Sequence, residues 1–585
     1  MSAILGVSGL ADSVRFKRAH WPALDEREYR ILQGFDAAAT LVVDGAVVAA
    51  AAEERFNRQK QTGDFPVHAI AYCLGQAGRS IADIDEIAHC FDYAPFGEIF
   101  SLDATSAMLY DEVFSKPALL AQINRHFPEF PADRVHQVGH HLSHAASTYF
   151  TSGWDECLVV VLDAMGETQS GSIFVGRGGQ LEKLREISAN DSIGILYSLV
   201  TYHLGFDFNS DEYKIMGLAP YGDPRQFEGV FQQMLECRAD GTVRIPILRL
   251  NRNREERENY LRTREWLSRN LIPARDPGAE ITQVHRDVAA ALQAALNRAI
   301  LHICGHYGAR TGLRKIAMAG GVALNCSANG KLTRSGLFDE VYVQPAAGDD
   351  GAALGAALYR AALNGEVINK RFPVPFLGPS HPQSKIDAAF MKFAGAIKVT
   401  RFGRVEETCD QAARMIHEGK VVAWHRGRME YGPRALGNRS ILADPSNPEM
   451  RDRVNAMVKK REAFRPFAPA VSIEEVHRYF EVAPMTAMPY MIATVNVREE
   501  YRAALPAITH VDGSARVQTV AAQDNRTFHS LLKAVGRSTG REIVLNTSFN
   551  VKGQPIVNTP HEAVETFLGT GIDCLFIEDN LVSRA

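Results

Sequence analysis

Three histidines fall within five residues, in the run His140-His141-Leu142-Ser143-His144-Ala145-Ala146. On a helix, His140 and His144 stand one turn apart on the same face, with His141 only partly aligned. Two imidazoles at that spacing can grip one metal ion. Nineteen residues on, Asp163 ends the apolar run Leu158-Val159-Val160-Val161-Leu162, and the turn Gly348-Asp349-Asp350-Gly351 offers a further carboxylate. Two imidazoles with two carboxylates suit a borderline divalent metal, Fe(II), Mn(II) or Zn(II), better than calcium, and the residue types do not choose among them. The bland alternative is a set of buried structural histidines, which three in one helical turn followed by a strand-end acid disfavour.

Two further groups of residues fit phosphate chemistry. Gly320-Gly321 and the pair Gly348/Gly351 are turns at which backbone N–H groups can approach phosphate oxygens at a helix start. Neither is a P-loop, and each alone reads equally well as a tight turn. The stretch Arg426 to Ser440 sets arginines, Arg434 among them, between turn-forming glycines and a proline. Lys459-Lys460-Arg461-Glu462-Ala463-Phe464-Arg465 follows, and Arg516 lies in the strand-like run Ala515 to Val520. Arginine recognises phosphate or carboxylate bidentately, and clustered cations neutralise a triphosphate. Leu545-Asn546-Thr547-Ser548-Phe549-Asn550 ends a strand with four polar side chains, donors for a small polar ligand or simple turn chemistry.

The elements that must position these residues read as alternating strands and helices. Ala37 to Glu54 predicts a hairpin around Asp44-Gly45, and Cys157 to Val175 a strand, an Asp and a second strand. That repeated pattern implies a duplicated unit. Lys315 to Ala319 and Val341 to Val343 each run through glycine into a helix, so an α/β fold is expected, with ligands at strand ends. The chain of 585 residues exceeds one core. Pro373, Pro375, Gly378 and Pro379 mark a linker over 371–380, between a domain at 1–370 and another at 381–585. Arginines between about 236 and 280 are balanced by glutamates and read as a solvated helical surface. The net charge of -4 gives no general reason for a nucleic-acid partner. No signal peptide or membrane span is expected. Eight cysteines without CxxC pairs fit reduced thiols, hence a cytoplasmic location.

In family order, the motifs resemble the O-carbamoyltransferases of antibiotic biosynthesis and nodulation. They are Asp36-Ala37-Ala38-Ala39, Glu53-Glu54-Arg55-Phe56, His140-His141-x-x-His144-Ala145, Lys214 to Gly222, Gly320-Gly321-Val322-Ala323-Leu324-Asn325 and Gly348-Asp349-Asp350-Gly351. Gly432-Pro433-Arg434-Ala435-Leu436-Gly437, Arg465-Pro466-Phe467-Ala468-Pro469 and Asn546-Thr547-Ser548-Phe549-Asn550 complete the series. The resemblance implies an N-terminal Kae1-like domain of the actin/Hsp70/sugar-kinase (ASKHA) superfold and a C-terminal YrdC-like domain. It implies that the C-terminal domain condenses carbamoyl phosphate with ATP, as its magnesium complex, to carbamoyl-adenylate and pyrophosphate. The N-terminal domain would then pass the carbamoyl group to a hydroxyl beside a metal, iron foremost, with Mn, Zn or Mg the alternatives.

By motif position, His140, His144, Asp163 and Asp349 resemble the metal ligands. Gly320, Gly321, Asn325 and Asp350 resemble the adenylate cleft, and Arg434, Lys459, Arg465, Arg516, Ser548 and Asn550 the carbamoyl phosphate and ATP site. Asp36, Lys60 and Arg516 are the candidates for catalytic roles. The partners implied are carbamoyl phosphate, ATP and a hydroxylated acceptor, without nucleic acid or membrane, and a homodimer is allowed. The family commonly carries His before the Asp-Ala-Ala run, where this chain has Phe35, so a base must come from elsewhere: Asp36, Asp211 or His20. An extra stretch between Gly9 and Gly34 is expected to shape the acceptor pocket. A small-molecule kinase of the same superfold is the alternative, and it would release ADP.

Overall fold

The computed structural model describes residues 2–369, 375–459, 462 and 464–585. Residues 371–374 of the expected linker, and Lys460, Arg461 and Ala463 of the basic run, lie outside the described residues. The chain forms one compact unit of Met1–Glu54 with Gln61–Pro373 and a second of Arg55–Lys60 with Val374–Ala585. Residues 55–60, expected in the first domain, therefore group with the second. Arg55 Nη2 donates to Gly432 O at 3.1 Å, and Arg58 pairs with Glu562 at 3.1 Å.

Two five-stranded sheets frame the first unit. Strands β1 (Ala3–Val7), β2 (Ala38–Val43), β3 (Ala46–Ala52), β4 (Glu86–His89) and β5 (Val135–Gln137) lie in the order β3-β2-β1-β4-β5. The second sheet begins with β6 (Glu156–Gly166), β7 (Gln169–Arg177) and β8 (Gln180–Ser188). After the short antiparallel pair β9 (Glu236–Cys237) and β10 (Val243–Arg244), β11 (Lys315–Ala319) and β12 (Glu340–Val343) complete it in the order β12-β11-β6-β7-β8. β1 runs antiparallel to β2 and parallel to β4, as β6 runs antiparallel to β7 and parallel to β11.

The duplication is thus real, but one strand removed from the sequence reading. Hairpin β2–β3 corresponds to β7–β8, and Asp163 on β6 corresponds to the end of β1. Residues 8–37 separate β1 from β2, whereas only Glu167 and Thr168 join β6 to β7, so spacing alone paired the wrong hairpins.

Both sheets' central strands are apolar on both faces: Ile4, Leu5, Val7 and Leu158 to Val161 are all fully buried. Continuous apolar runs of this kind are what strands covered on both sides require. The helix His140–Tyr149 follows β5 and packs on β6 and β11. The helix Asp349–Leu363 follows β12 and packs on β1 and β2. Each helix therefore crosses to the other half's sheet, and the two pack against one another. Helix Gln283–Thr311, 29 residues, is apolar and long enough to cross a membrane, yet 72% of its most apolar stretch is buried within the protein. Of the stretch 236–280, expected to be helical, only Arg254–Glu258 and Leu261–Asn270 form α-helix.

The second unit holds β13 (Ile397–Arg401), β14 (Val422–His425), β15 (Arg439–Ala443), β16 (Ala468–Ser472), β17 (Thr494–Asn496), β18 (Ser514–Arg516), β19 (Gln518–Val520), β20 (Ile543–Ser548), β21 (Cys574–Ile577) and β22 (Asn580–Arg584). Eight of them form a sheet in the order β13-β22-β21-β14-β15-β20-β16-β19, and β17 pairs with β18 apart. Alternation decides its layers. Val422, Trp424, Leu442, Val544 and Phe576 face a core shared with Ala412, Ala413 and Ile416 of helix Val405–His417. Their neighbours Ala423, Ile441, Ala443, Ile543, Leu545 and Leu575 face a core shared with Ile386 and Phe567 on other helices. A period of two along strands and of three to four along the helix fixes a three-layer unit.

The described part of the expected linker is no tether. Pro375, Leu377, Gly378 and Pro379 are buried. Tyr431 N–H donates to Pro375 O at 2.6 Å and Met429 N–H to Pro379 O at 2.9 Å. Proline cannot donate, but its carbonyl accepts, so a proline-rich segment can be pinned along a loop from one side.

Candidate functional site

The N-termini of the two crossing helices and strand β6 bring the four expected ligands together. One ligand atom each from His140, His144, Asp163 and Asp349 lies within 4.8 Å of the others. His140 Nε2 stands 3.1 Å from His144 Nε2, 3.2 Å from Asp163 Oδ2 and 3.4 Å from Asp349 Oδ1. Ligands on one ion at about 2.0–2.2 Å stand about 3.0–3.5 Å apart, so the set could hold a single divalent cation. Both histidines are fully buried, and Asp163 nearly so.

His140, Asp163 and Asp349 are each oriented from behind. The ring of His140 stacks on Phe91 at 4.2 Å between centroids, and its Nδ1 lies 3.3 Å from Cys90 O. A proton on Nδ1 leaves the Nε2 lone pair for a metal. His144 Nδ1 is buried without a partner among the described residues. Asp163 Oδ1 accepts the Gly321 N–H at 3.0 Å, leaving Oδ2 toward the histidines. Asp349 opens its helix, where the dipole favours a carboxylate. Burial disfavours the imidazolium of His140, but the Asp349 and Asp163 carboxylates outweigh it and hold its pKa well above the usual range. Burial likewise opposes ionisation of Asp163, and His140 and His144 overcome it and lower its pKa. The cluster thus has a strong field for a cation.

Glu167 belongs to this site and was not singled out in the sequence. Its Oε1 accepts the N–H groups of His140 and Asp92, both at 2.9 Å, which caps the His140 helix. Burial pushes its pKa up to about 7. It stands at φ +52°, a left-handed conformation uncommon for a side-chain-bearing residue, so position here overrides local preference. In sequence it reads only as a turn residue.

Asp36 also stands in a left-handed conformation, at φ +55°. Burial raises its pKa well above the carboxylate range, and Asp350, Glu54 and Asp349 add to the effect. The other two candidate bases are engaged elsewhere. Asp211 bonds Lys214 at 2.7 Å, and His20 Nδ1 lies 3.0 Å from Phe16 O with its ring stacked on Phe16. Phe35 is buried, with the Arg30 guanidinium 4.9 Å from its ring.

The glycine turn is used differently from the expectation that its N–H groups face phosphate. Gly320 adopts φ +90°, and a Cβ there would lie 2.3 Å from Leu162 O. The turn is thereby tied to β6, and the Gly321 N–H serves Asp163. Asn325 exchanges amide hydrogen bonds with Gln293 at 3.0 Å in both directions and caps helix Cys326–Arg334. Asp350 Oδ1 accepts the Gly351 N–H at 3.0 Å.

In the second unit, direct bonds join Lys459, Ser548 and Asn550. Lys459 Nζ donates to Ser548 O at 2.6 Å and to Asn550 Oδ1 at 2.8 Å. Arg516 ends β18 with a buried Nε that has no partner among the described residues. Arg465, 3.6 Å from Glu462, precedes β16, which pairs with β20. Lys60 is exposed in the 55–60 segment.

The loop bearing Arg434 is organised by Glu430, another residue that sequence reading passed over. Its Oε1 accepts the N–H groups of Leu436, Asn438 and Arg439 at 2.7, 2.8 and 3.1 Å. Gln518 Nε2 and Asn546 Nδ2 tie the same loop to β19 and β20 through Leu436 O and Ala435 O. Glu430→Ala strands three buried donors, so it is expected to lower stability by about 3 kcal/mol in denaturant melts. Glu430→Gln keeps an acceptor oxygen and is expected to cost less than half as much; equal losses would refute the acceptor role.

A mixed α/β chain with a duplicated frame and a buried cluster able to hold a metal is the class these features define. The chain belongs to the carbamoyltransferase family and is a carbamoyltransferase: the model of the carbamoyltransferase N-terminus matches residues 32–358, and that of the C-terminus residues 413–584. Nodulation protein NolNO of Sinorhizobium fredii is 40% identical over 556 residues, 94% of this chain and 79% of that protein. The 3'-hydroxymethylcephem-O-carbamoyltransferase of Amycolatopsis lactamdurans is 34% identical over 275 residues, 46% of this chain and 48% of that protein. Among solved structures, T. kodakarensis HypF aligns over 62% of this chain and 48% of its own at 16% identity, with a TM-score of 0.30. That likeness is too slight to bear on function.

Proposed function

We propose that the chain is an ATP-dependent O-carbamoyltransferase working in two stages. The second unit, read as YrdC-like, takes carbamoyl phosphate and ATP to carbamoyl-adenylate. Water displaces orthophosphate from the carbamoyl carbon, the resulting carbamate oxygen attacks the α-phosphorus, and pyrophosphate departs. The first unit, read as an actin/Hsp70-like Kae1 fold, passes the carbamoyl group to the hydroxyl of a small-molecule or sugar acceptor, and AMP departs. The observation that carries this reading is the buried two-imidazole, two-carboxylate cluster in a chain matched by both carbamoyltransferase models, over residues 32–358 and 413–584.

His140, His144, Asp163 and Asp349 would hold the metal, Fe(II) foremost. Such an ion supplies a Lewis acid that stabilises negative charge on a carbonyl oxygen. Asp36, beside Asp349 and Asp350, would take the acceptor's proton: its raised pKa makes it, once ionised, a stronger base than an ordinary carboxylate. Lys459 and the arginines at 434, 465 and 516 hold the polyphosphate and orient the α-phosphorus.

Product analysis tests the scheme. With ATP and carbamoyl phosphate together, the protein is expected to form AMP and pyrophosphate, and with ATP alone neither. Arg465→Ala is expected to lose that release. ADP as the sole nucleotide product would establish a kinase instead.

A further inference from the structure

A cavity of about 440 Å³ opens in the first unit around Tyr202, and none of the four clustered metal-type ligands lines it. Its volume lies within the roughly 300–1,000 Å³ of small-molecule sites. Four guanidinium groups line it, those of Arg27, Arg264, Arg269 and Arg275, against two carboxylates, Glu265 and Asp276. Arg27 and Arg264 stand 4.1 and 4.8 Å from the centroid of the Tyr202 ring. Stacking on one aromatic ring fixes both guanidinium planes and lowers the entropy lost on binding.

Both groups keep donors for a ligand. Arg27 uses Nε on Asp207, at 3.2 Å, and Nη2 on the carbonyls of Tyr202 and Phe206. Its Nη1 has no acceptor among the described residues. Arg264 uses only Nη1, on Glu28. Its Nε and Nη2, the edge that meets a carboxylate or phosphate bidentately, are left over among the described residues. A purely structural Arg264 would be expected to turn these donors to carbonyls, as Arg27 Nη2 does toward Tyr202 and Phe206 and buried Arg275 toward Leu204 and Ala279.

The cavity draws on separate stretches of the first unit, and one of them lies outside the family match. Arg27 lies ahead of residue 32, where the family match starts. The stretch that carries it is clamped in place. Lys17, 3% exposed, donates to Ile31 O and to Glu258 O at 2.7 Å each. Arg254 stacks 5.3 Å from Trp21, and Asn259 Nδ2 bonds Glu28 Oε1 at 3.2 Å. Residues 17–31 and 254–264 thus brace one another beside the cavity.

We infer that this cavity is a binding site for an oxyanion, a carboxylate or phosphate ester borne on a molecule of about one sugar ring, gripped by Arg27 and Arg264 over Tyr202. That such a ligand is part of the acceptor rests on the proposed function; the binding itself does not.

Calorimetric titration of the full chain with glucose 6-phosphate and with glucuronate tests it, with glucose as the uncharged control. At least one acid is expected to bind with a Kd on the order of 1 mM or below, and glucose not. Which acid binds distinguishes phosphate ester from carboxylate. Arg264→Gln is expected to weaken that binding about tenfold or more, and Arg465→Ala in the second unit to leave it unchanged. Arg264 pairs with Glu28, so a folding defect is covered by Arg269→Glu at the rim, where the side chain is 75% exposed. It should weaken binding in a folded protein. Neither acid exceeding glucose, or binding indifferent to both first-unit substitutions, overturns the inference. Binding lost only in Arg465→Ala overturns it too while leaving the carbamoyl chemistry standing. An ADP-only product, by contrast, removes the proposed reaction and not this site.

Discussion

His144→Ala is expected to abolish carbamoyl transfer while carbamoyl phosphate-dependent pyrophosphate release continues. The imidazole is fully buried, with Nε2 3.1 Å from its partner on His140 and 3.5 Å from Asp349 Oδ1. Alanine removes one of four ligands and leaves Asp163 and Asp349 facing a single histidine. The two carboxylates lose part of the cation field that overcomes their burial, so the remaining set holds a divalent ion weakly. Metal retained after dialysis, measured by elemental analysis, is expected to fall about tenfold or more, since even groups behind a ligand change affinity 10- to 100-fold. The lost side chain touches only the first unit, whose frame of β1, β6 and the crossing helices stays apolar and intact. Pyrophosphate release belongs to the cationic residues of the second unit and should be within a factor of about two of the unsubstituted protein. Loss of both activities in a folded variant would show that the two stages do not divide between the units. Unchanged metal content would remove His144 from the ligand set.

Much of this site could be read from the chain because its strongest signal is local. His140 and His144 are four residues apart, and any helix places them on one face. Asp163 and Asp349 were legible as the ends of apolar runs, where α/β folds gather ligands. The contacts that hold them were not, because they join residues distant along the chain: Cys90 and Glu167 at the two sides of His140, and Gly321, read only as a ligand turn, behind Asp163. Glu167 and Glu430 accept backbone N–H groups, a role with no residue pattern of its own. The frame shows the same limit. The Asp44-Gly45 turn identified its hairpin, and the runs at 515–520 and 545–550 read as strands, but the duplication was paired one strand out of step because residues 8–37 separate β1 from β2. The prolines at 375 and 379 read as a linker, since sequence shows their missing donors and not the carbonyls that Tyr431 and Met429 use. Local chemistry was therefore visible where tertiary partners were not.

Gly355→Ala is expected to release metal without touching any ligand. Where the helices His140–Tyr149 and Asp349–Leu363 cross, a Cβ on Gly355 would lie 1.7 Å from Ser143 O and 2.8 Å from Ser147 N. Both obstacles are backbone, so no rotamer change relieves them. Restoring an ordinary contact parts the helices by about 1.5 Å, far beyond the ±0.2 Å within which coordination distances hold. The His pair rides on one helix, flanking Ser143, and Asp349 begins the other. Parting them therefore draws Asp349 away from His140 and His144, now 3.4 and 3.5 Å from it. Overpacking of this kind costs about 1–3 kcal/mol, so the variant should melt lower but still fold. Gly75→Ala is the control: it lies in helix Val67–Gln76, where an added methyl group would meet nothing within 4 Å. There alanine should raise stability slightly, through its better helix propensity, and leave metal content alone. If Gly355→Ala keeps both its melting point and its metal, the close crossing of these helices does not set the geometry of the cluster.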